Sequence, residues 1–333
     1  MTSQPEGRVS VRRASRLVFD WLIFIVGLGG LVWYLSKFSN EFGRLGSLSV
    51  GAVVVLSAVV LVGHVVIAGK LLTSVGIFGA RISLWEALLL VESGSFLNIL
   101  PLNLGTALRA RYLKKVARLK YMNYGLGFAM TQATGFLAAG VLGLAFLYLI
   151  SGTLRSLQLV FLGYIAFSMA IVIIGYLVRM TGLVGACARG RRSKFQRDLL
   201  ESLESGIGKI ATHPGTVVMW FGFDLLSNLV LGIRFLMISM YLGYGLDLAH
   251  AMVMQGITRV SAVLTIVPSG TIGIREALTG VAAASLGQAA VTGVMIGTID
   301  RIIATSWIVF LGSIASIVVR RRIARAELQG SRI

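Results

Sequence analysis

Long apolar runs alternate along the chain with short polar segments. A bilayer-crossing helix needs about 20 mostly apolar residues. Six stretches meet that requirement: residues 17–35, 49–69, 124–150, 156–178, 216–242 and 289–319. Two further regions, 84–115 and 250–287, are apolar but interrupted by proline. The first run is too long for the core of a secretory signal and no small-residue cleavage pattern follows it, so it reads as an uncleaved first span.

Basic residues give the threading, because short loops rich in Lys and Arg stay on the cytoplasmic side. Arg8, Arg12, Arg13 and Arg16 place residues 1–16 there, and Lys70 and Arg81 place the segment 70–83 there. The cluster Arg109, Arg111, Lys114, Lys115, Arg118 and Lys120 belongs to the same side, so the region 84–115 enters and leaves by one face. The segment 179–213, with Arg179, Arg189, Arg191, Arg192, Lys194 and Arg197, is expected to be a cytoplasmic basic loop. Residues 320–333, which begin Arg320, Arg321, Arg322, are expected to be a cytoplasmic basic tail. Parity then sends 250–287 in and out by the outer face. The expected fold is an all-α polytopic membrane protein. A single transmembrane domain, 17–319, has about six full spans and two opposed re-entrant hairpins that form an inverted repeat.

The hairpin tips are alike: NILPLNLGTALR at 98–109 and TIVPSGTIGIREA at 265–277. Proline lacks an N–H and disfavours helix at the residue before it, so a fresh helix can start beyond it. Such a start has free N–H groups and a positive dipole end, which suit an anion. Pro101 and Pro268 mark the breaks, and Asn103 and Ser269 are good caps. Gly105, Gly270 and Gly273 would let a headgroup approach the backbone, while Arg109 and Arg275 would supply bidentate donors for a phosphate.

Other polar residues lie inside apolar runs. Glu92, Ser95 and Asn98 form one helical stripe. Asp224 and Asn228 share a face, as do Gln255 and Arg259. Asp300 and Arg301 sit mid-span, where an ionised group costs roughly 2.5–3.5 kcal/mol on insertion scales. Adjacent helix positions point apart, so these two need partners elsewhere, such as Arg259, Glu276 or a ligand. They either fix helix packing as ion pairs or line a polar path. Asp20, Arg234 and Glu86 lie nearer span ends and are expected to reach toward the interface.

Composition agrees with a membrane protein: 56% of the 333 residues are hydrophobic and 13% charged, against about 25% charged in soluble domains. The net charge of +18 flanks apolar spans, which suits topology and anionic headgroups and argues against nucleic acid. One cysteine, Cys187, excludes an internal disulfide, and His64, His213 and His250 share no ligand spacing, so no metal or other cofactor is expected. No phosphate loop, zinc-protease helix or nucleophile elbow occurs, so catalytic residues are not expected. The segment KFQRDLLESLESGIGKI reads as an amphipathic helix, and Gly293 and Gly297 as a weak helix-contact motif.

At FLNILPLNLGTALRARYL and PSGTIGIREALTG, and in an arginine (Arg301) of the last long helix, the chain resembles the lysylphosphatidylglycerol synthase transmembrane-region family of flippase-like membrane proteins. Pro268, Gly270, Gly273, Arg275 and Glu276 carry the better match, whereas Thr106 stands where the family often has an acid. The resemblance implies movement of lipids between leaflets, without the soluble domain that makes lysyl-phospholipid. The expected function is translocation of an anionic-headgroup lipid, a phospholipid or a polyprenyl phosphate, across the cell (inner) membrane. Arg109 and Arg275 would hold the phosphate, and Arg259, Glu276, Asp300 and Arg301 would shape its path. Anionic membrane lipids are then the expected partners. Two other classes fit the sequence: a scaffold or accessory subunit of a cell-envelope glycosyl or acyl transferase, with loop 179–213 as its partner surface, and an integral-membrane transferase using Asp224, Glu276 or Asp300.

Overall fold

The computed structural model describes residues 48–99, 104–150, 155–180, 194–261 and 273–330. Among them the secondary structure is helical throughout: α1 (Val50–Gly76), α2 (Leu84–Leu97), α3 (Leu104–Lys115), α4 (Tyr121–Leu149), α5 (Arg155–Met180), α6 (Lys194–Thr212), α7 (Pro214–Leu242), α8 (Leu248–Ile257), α9 (Ile274–Ser285) and α10 (Ala290–Gly330). Five of these, α1, α4, α5, α7 and α10, contain a segment long and apolar enough to cross a membrane. They match five of the six expected spans. The sixth, 17–35, and the basic segment 1–16 lie outside the described residues.

Local signals start and stop the helices. Ser49 caps α1 by accepting the Ala52 N–H at 3.1 Å. Ser83 and Glu86 form a reciprocal capping box on α2. Pro214 opens α7, which closes on Gly243 at φ +72°, a left-handed conformation suited to glycine.

Among the described residues, each proline-broken region contains two helices packed on each other. Within 84–115, α2 packs on α3, and within the second region α8 packs on α9. With 14 residues, α2 is about 21 Å long, and α8, with 10, about 15 Å. Neither reaches across a hydrocarbon core of about 30 Å. The tips themselves, including Pro101, Asn103, Pro268, Ser269 and Gly270, lie outside the described residues.

The two hairpins open at opposite ends of the molecule. One apolar cluster joins the end of α1 (Val75), the mouth of the first hairpin (Tyr112, Leu113), the start of α7 (Trp220) and the late part of α10 (Val319, Ile323). Another joins the ends of α4 and α7 (Leu147, Leu242) to the mouth of the second hairpin (Leu246, Leu286). The order helix, hairpin, long helix occurs twice: α1, α2–α3, α4 and then α7, α8–α9, α10. α1 runs along α7, while α10 packs on α2 and α4 on α8. Each hairpin is therefore clamped by the long helix that follows its counterpart, the exchange an inverted repeat produces.

Three boundaries differ from the sequence reading. α1 continues to Gly76, so Lys70 lies within the helix and not in a loop. The charge is tolerated there because Asp224 meets it, as described below. α10 runs on to Gly330, so most of the expected tail is helical. It is tied down where Arg322 binds Glu86 at 2.6 Å and Arg111 binds Glu327 at 3.1 Å. Glu86 thus pairs with a specific arginine and with the Tyr112 hydroxyl at 3.0 Å. The expected loop 179–213 contains α6, whose Ile210 is buried and which packs on α4, α5 and α7. Gly293 and Gly297 do mark a helix contact, because a Cβ at either would collide with Thr279 of α9.

Candidate functional site

Two polar clusters lie within the helical interior. The first lines a cavity of about 250 Å³ between α1, α3, α4, α7 and the end of α8, and its charged residues are Lys70, Arg109, Asp224 and Arg259. The Lys70 ammonium donates to both Asp224 carboxylate oxygens, at 2.6 and 2.7 Å, and to the Thr131 carbonyl at 2.6 Å, which engages all three of its protons. The Thr134 hydroxyl donates to the same carboxylate at 2.8 Å. Asp224 itself is 4% exposed, so its charge has no route to bulk water except through the cavity.

The two stripes read from the sequence face each other across this region. Asn228 accepts a hydrogen bond from Gln255 at 3.1 Å, one turn beyond Asp224 and Arg259. Arg259 reaches over Gly135 of α4, where a Cβ would overlap its Nη2 and approach the Asp224 carboxylate. Its guanidinium sits 5.6 Å from the Phe136 ring centre and forms no ion pair among the described residues. Its buried Nε has no hydrogen-bond partner among the described residues.

Arg109 enters the cavity from the first hairpin. Its Nε donates to the Leu90 carbonyl at 2.9 Å, and its Nη2 to the Val91 carbonyl at 3.0 Å and the Ser95 hydroxyl at 3.4 Å. It therefore clasps the two arms of the hairpin with neutral acceptors only. The stripe Glu92, Ser95, Asn98 is used throughout: Glu92 pairs with His64 at 2.6 Å, and Asn98 accepts the Gly105 N–H at 3.0 Å.

The second cluster joins α7, α9 and α10. Asp300, 1% exposed, accepts from Nε of Arg234 at 2.7 Å and also from its Nη2, and from Nη2 of Arg275 at 2.9 Å. Glu276, fully buried, accepts from Nη1 of Arg301 at 2.8 and 3.0 Å. Its Oε2 also accepts the Gly273 N–H at 2.9 Å, at the start of α9.

The geometry revises several expected roles. Arg109 and Arg275 do not converge: Arg109 lines the cavity, while Arg275 belongs to the ion-paired cluster. Arg259 is a cavity residue and does not pair with Asp300. Asp300 and Arg301 do find separate partners, Arg234 with Arg275 for the first and Glu276 for the second. The start of α9 is satisfied by the Glu276 carboxylate of its own chain, so Gly273, at φ +83°, supplies the backbone turn and not an open anion seat. Asn98 and Gly105 hold the first hairpin together. A Cβ on Gly105 would fall on the Gly94 carbonyl oxygen, so this glycine permits helix contact rather than headgroup approach.

Sequence reasoning missed Lys70 and Arg234. Lys70 is the one formally charged residue between 50 and 76, a signal read as the end of a span. Arg234 was expected at the interface but is 5% exposed, because Asp300 on α10 holds it inside. Tyr124, Gln132 and Ser227, which also line the cavity, carried no sequence signal.

A family model described as Lysylphosphatidylglycerol synthase TM region matches residues 17–312. No curated protein and no solved structure matches the chain.

Proposed function

The chain belongs to the lysylphosphatidylglycerol synthase TM region family, and from that premise we propose that it moves a lipid with an anionic headgroup between leaflets. The observation that carries this reading is the charge of the cavity. Among the described residues, Lys70, Arg109 and Arg259 line it against a single carboxylate, Asp224, inside a bundle of membrane-crossing helices. Isolated positive charge is costly in such an interior, and an anionic headgroup offsets it. Guanidinium groups match phosphate oxygens with paired hydrogen bonds.

The oppositely opening hairpins suit alternating access, in which one repeat rocks against its counterpart around a fixed site. The Arg234–Asp300–Arg275 and Glu276–Arg301 pairs lie apart from the cavity and serve as the joint between α7, α9 and α10. In this reading the end carrying Arg111, Lys115, Arg320 and Arg322 faces the cytoplasm at the cell membrane. The family match makes it an integral membrane protein of lipid-related function; the translocase role is the step beyond that.

The test uses purified protein in liposomes, with leaflet exchange of fluorescent anionic and zwitterionic lipids followed with and without a proton gradient. Exchange of an anionic lipid that drops about tenfold or more in Arg259→Gln, in a protein of unchanged thermal stability, supports the reading. Exchange equal to protein-free liposomes for every lipid and gradient overturns it.

A further inference from the structure

The charges in the cavity are not all compensated. Lys70 and Asp224 cancel each other through direct hydrogen bonds. Arg109 uses its Nε and Nη2 donors on two carbonyls and a hydroxyl, none of which carries charge. Arg259 forms no ion pair among the described residues and has an unpartnered buried Nε. Asp224 is the sole carboxylate among the described lining residues, so against these residues two guanidinium charges face the cavity unbalanced. Gln132 and Ser227 add neutral donors to the same wall.

We infer that this cavity takes a phosphomonoester headgroup, a dianion, in preference to a phosphodiester. The inference rests on the headgroup reading above and narrows it. A diester carries one negative charge, whereas a monoester carries about 1.5 to 2 near neutral pH, with a second ionisation near pH 6. In a low-dielectric interior a monoanion would leave one guanidinium uncompensated, and a dianion would satisfy both. A monoester also presents three terminal oxygens, enough for two guanidinium groups and a neutral donor. Among the described residues, the charged or titratable groups facing the cavity are Lys70 from α1, Arg109 from α3, Tyr124 from α4, Asp224 from α7 and Arg259 after α8. Behind them, His64 on α1 and Glu92 on α2 are paired with each other.

Binding to the full chain in nanodiscs tests this, with short-chain phosphatidic acid as monoester and phosphatidylglycerol of the same chains as diester. At about pH 7.5 the monoester should bind at least about tenfold tighter, the worth of one hydrogen bond to a charged group. At about pH 5 that ratio should collapse toward one, because the monoester regains its second proton. Arg259→Gln should abolish the preference at about pH 7.5, and Arg259→Lys should retain part of it. Equal affinities at that pH, or a preference indifferent to Arg259→Gln, overturns the inference. Glycerol 3-phosphate should bind far more weakly than phosphatidic acid. Equal binding would assign the site to a soluble phosphomonoester and overturn its lipid part. Leaflet exchange is a separate readout: preference without exchange rejects translocation alone, and exchange without preference rejects the monoester alone.

Discussion

Replacing Asp300 by asparagine is the perturbation whose size the structure defines best. The carboxylate is 0% exposed at its side chain and accepts from Arg234 on α7 and Arg275 on α9. Asparagine keeps the volume but removes the charge, so two guanidinium groups are left facing each other inside the bundle. Breaking a buried ion pair by removing one member costs about 3–5 kcal/mol, mainly because the remaining charge is stranded. Three hydrogen bonds to a charged group, at about 1.5–3 kcal/mol each before compensation, leave room for a loss of that size. Detergent-titrated reversible unfolding of the purified protein measures it. Asp300→Asn should lose about 3–5 kcal/mol, and Arg234→Met with Asp300→Asn should lose less than the single change, because one stranded charge is gone. A loss under about 1 kcal/mol for Asp300→Asn, or strict additivity in the double variant, would refute the claim that this cluster holds the three helices.

Gly135→Val places side-chain atoms where the Arg259 guanidinium lies, so anionic-lipid exchange should fall to the level of Arg259→Gln with little change in zwitterionic background. Gly105→Ala forces α3 away from the Gly94 carbonyl and should destabilise the first hairpin by about 1–3 kcal/mol, read as faster proteolysis or amide exchange within 84–115. Asp247 caps α8 by accepting the His250 N–H at 2.8 Å. Burial pushes its carboxyl up, but the bonds and charge of His250 outweigh that and hold it below its ordinary value of 3.8. Because the folded value is depressed, the cap stabilises fully above about pH 4 and fades as the pH falls through the lower folded value. Asp247→Ala should therefore cost about 1 kcal/mol near neutral pH, and the difference from wild type should vanish in acid.

Much of the architecture was legible in the sequence because bilayer insertion is a local matter. An apolar run of sufficient length must form a helix, and basic flanks fix its direction. That logic yielded α1, α4, α5, α7 and α10, and it required 84–115 and 250–287 to turn back because parity left no other path. Helix periodicity pairs Asp224 with Asn228 and Gln255 with Arg259 from the sequence alone. Which charges meet is a different kind of fact. Lys70 and Asp224 are 154 residues apart, and Arg234 and Asp300 are 66 apart. No local pattern says that Lys70 is a buried ion-pair member rather than the end of a span, or that Arg234 points inward. The same holds for Arg109 and Arg275, alike in sequence context yet placed in different clusters. Arg275 meets Asp300 because α9 lies against α10, whereas Arg109 opens onto the cavity between α1, α4 and α7. The sequence alone set the helices, their polar stripes and the excess of positive charge. Tertiary packing decided which cations are neutralised by carboxylates and left Arg109 and Arg259, among the described residues, to face the cavity, because compensation acts over a few ångströms in space and not along the chain.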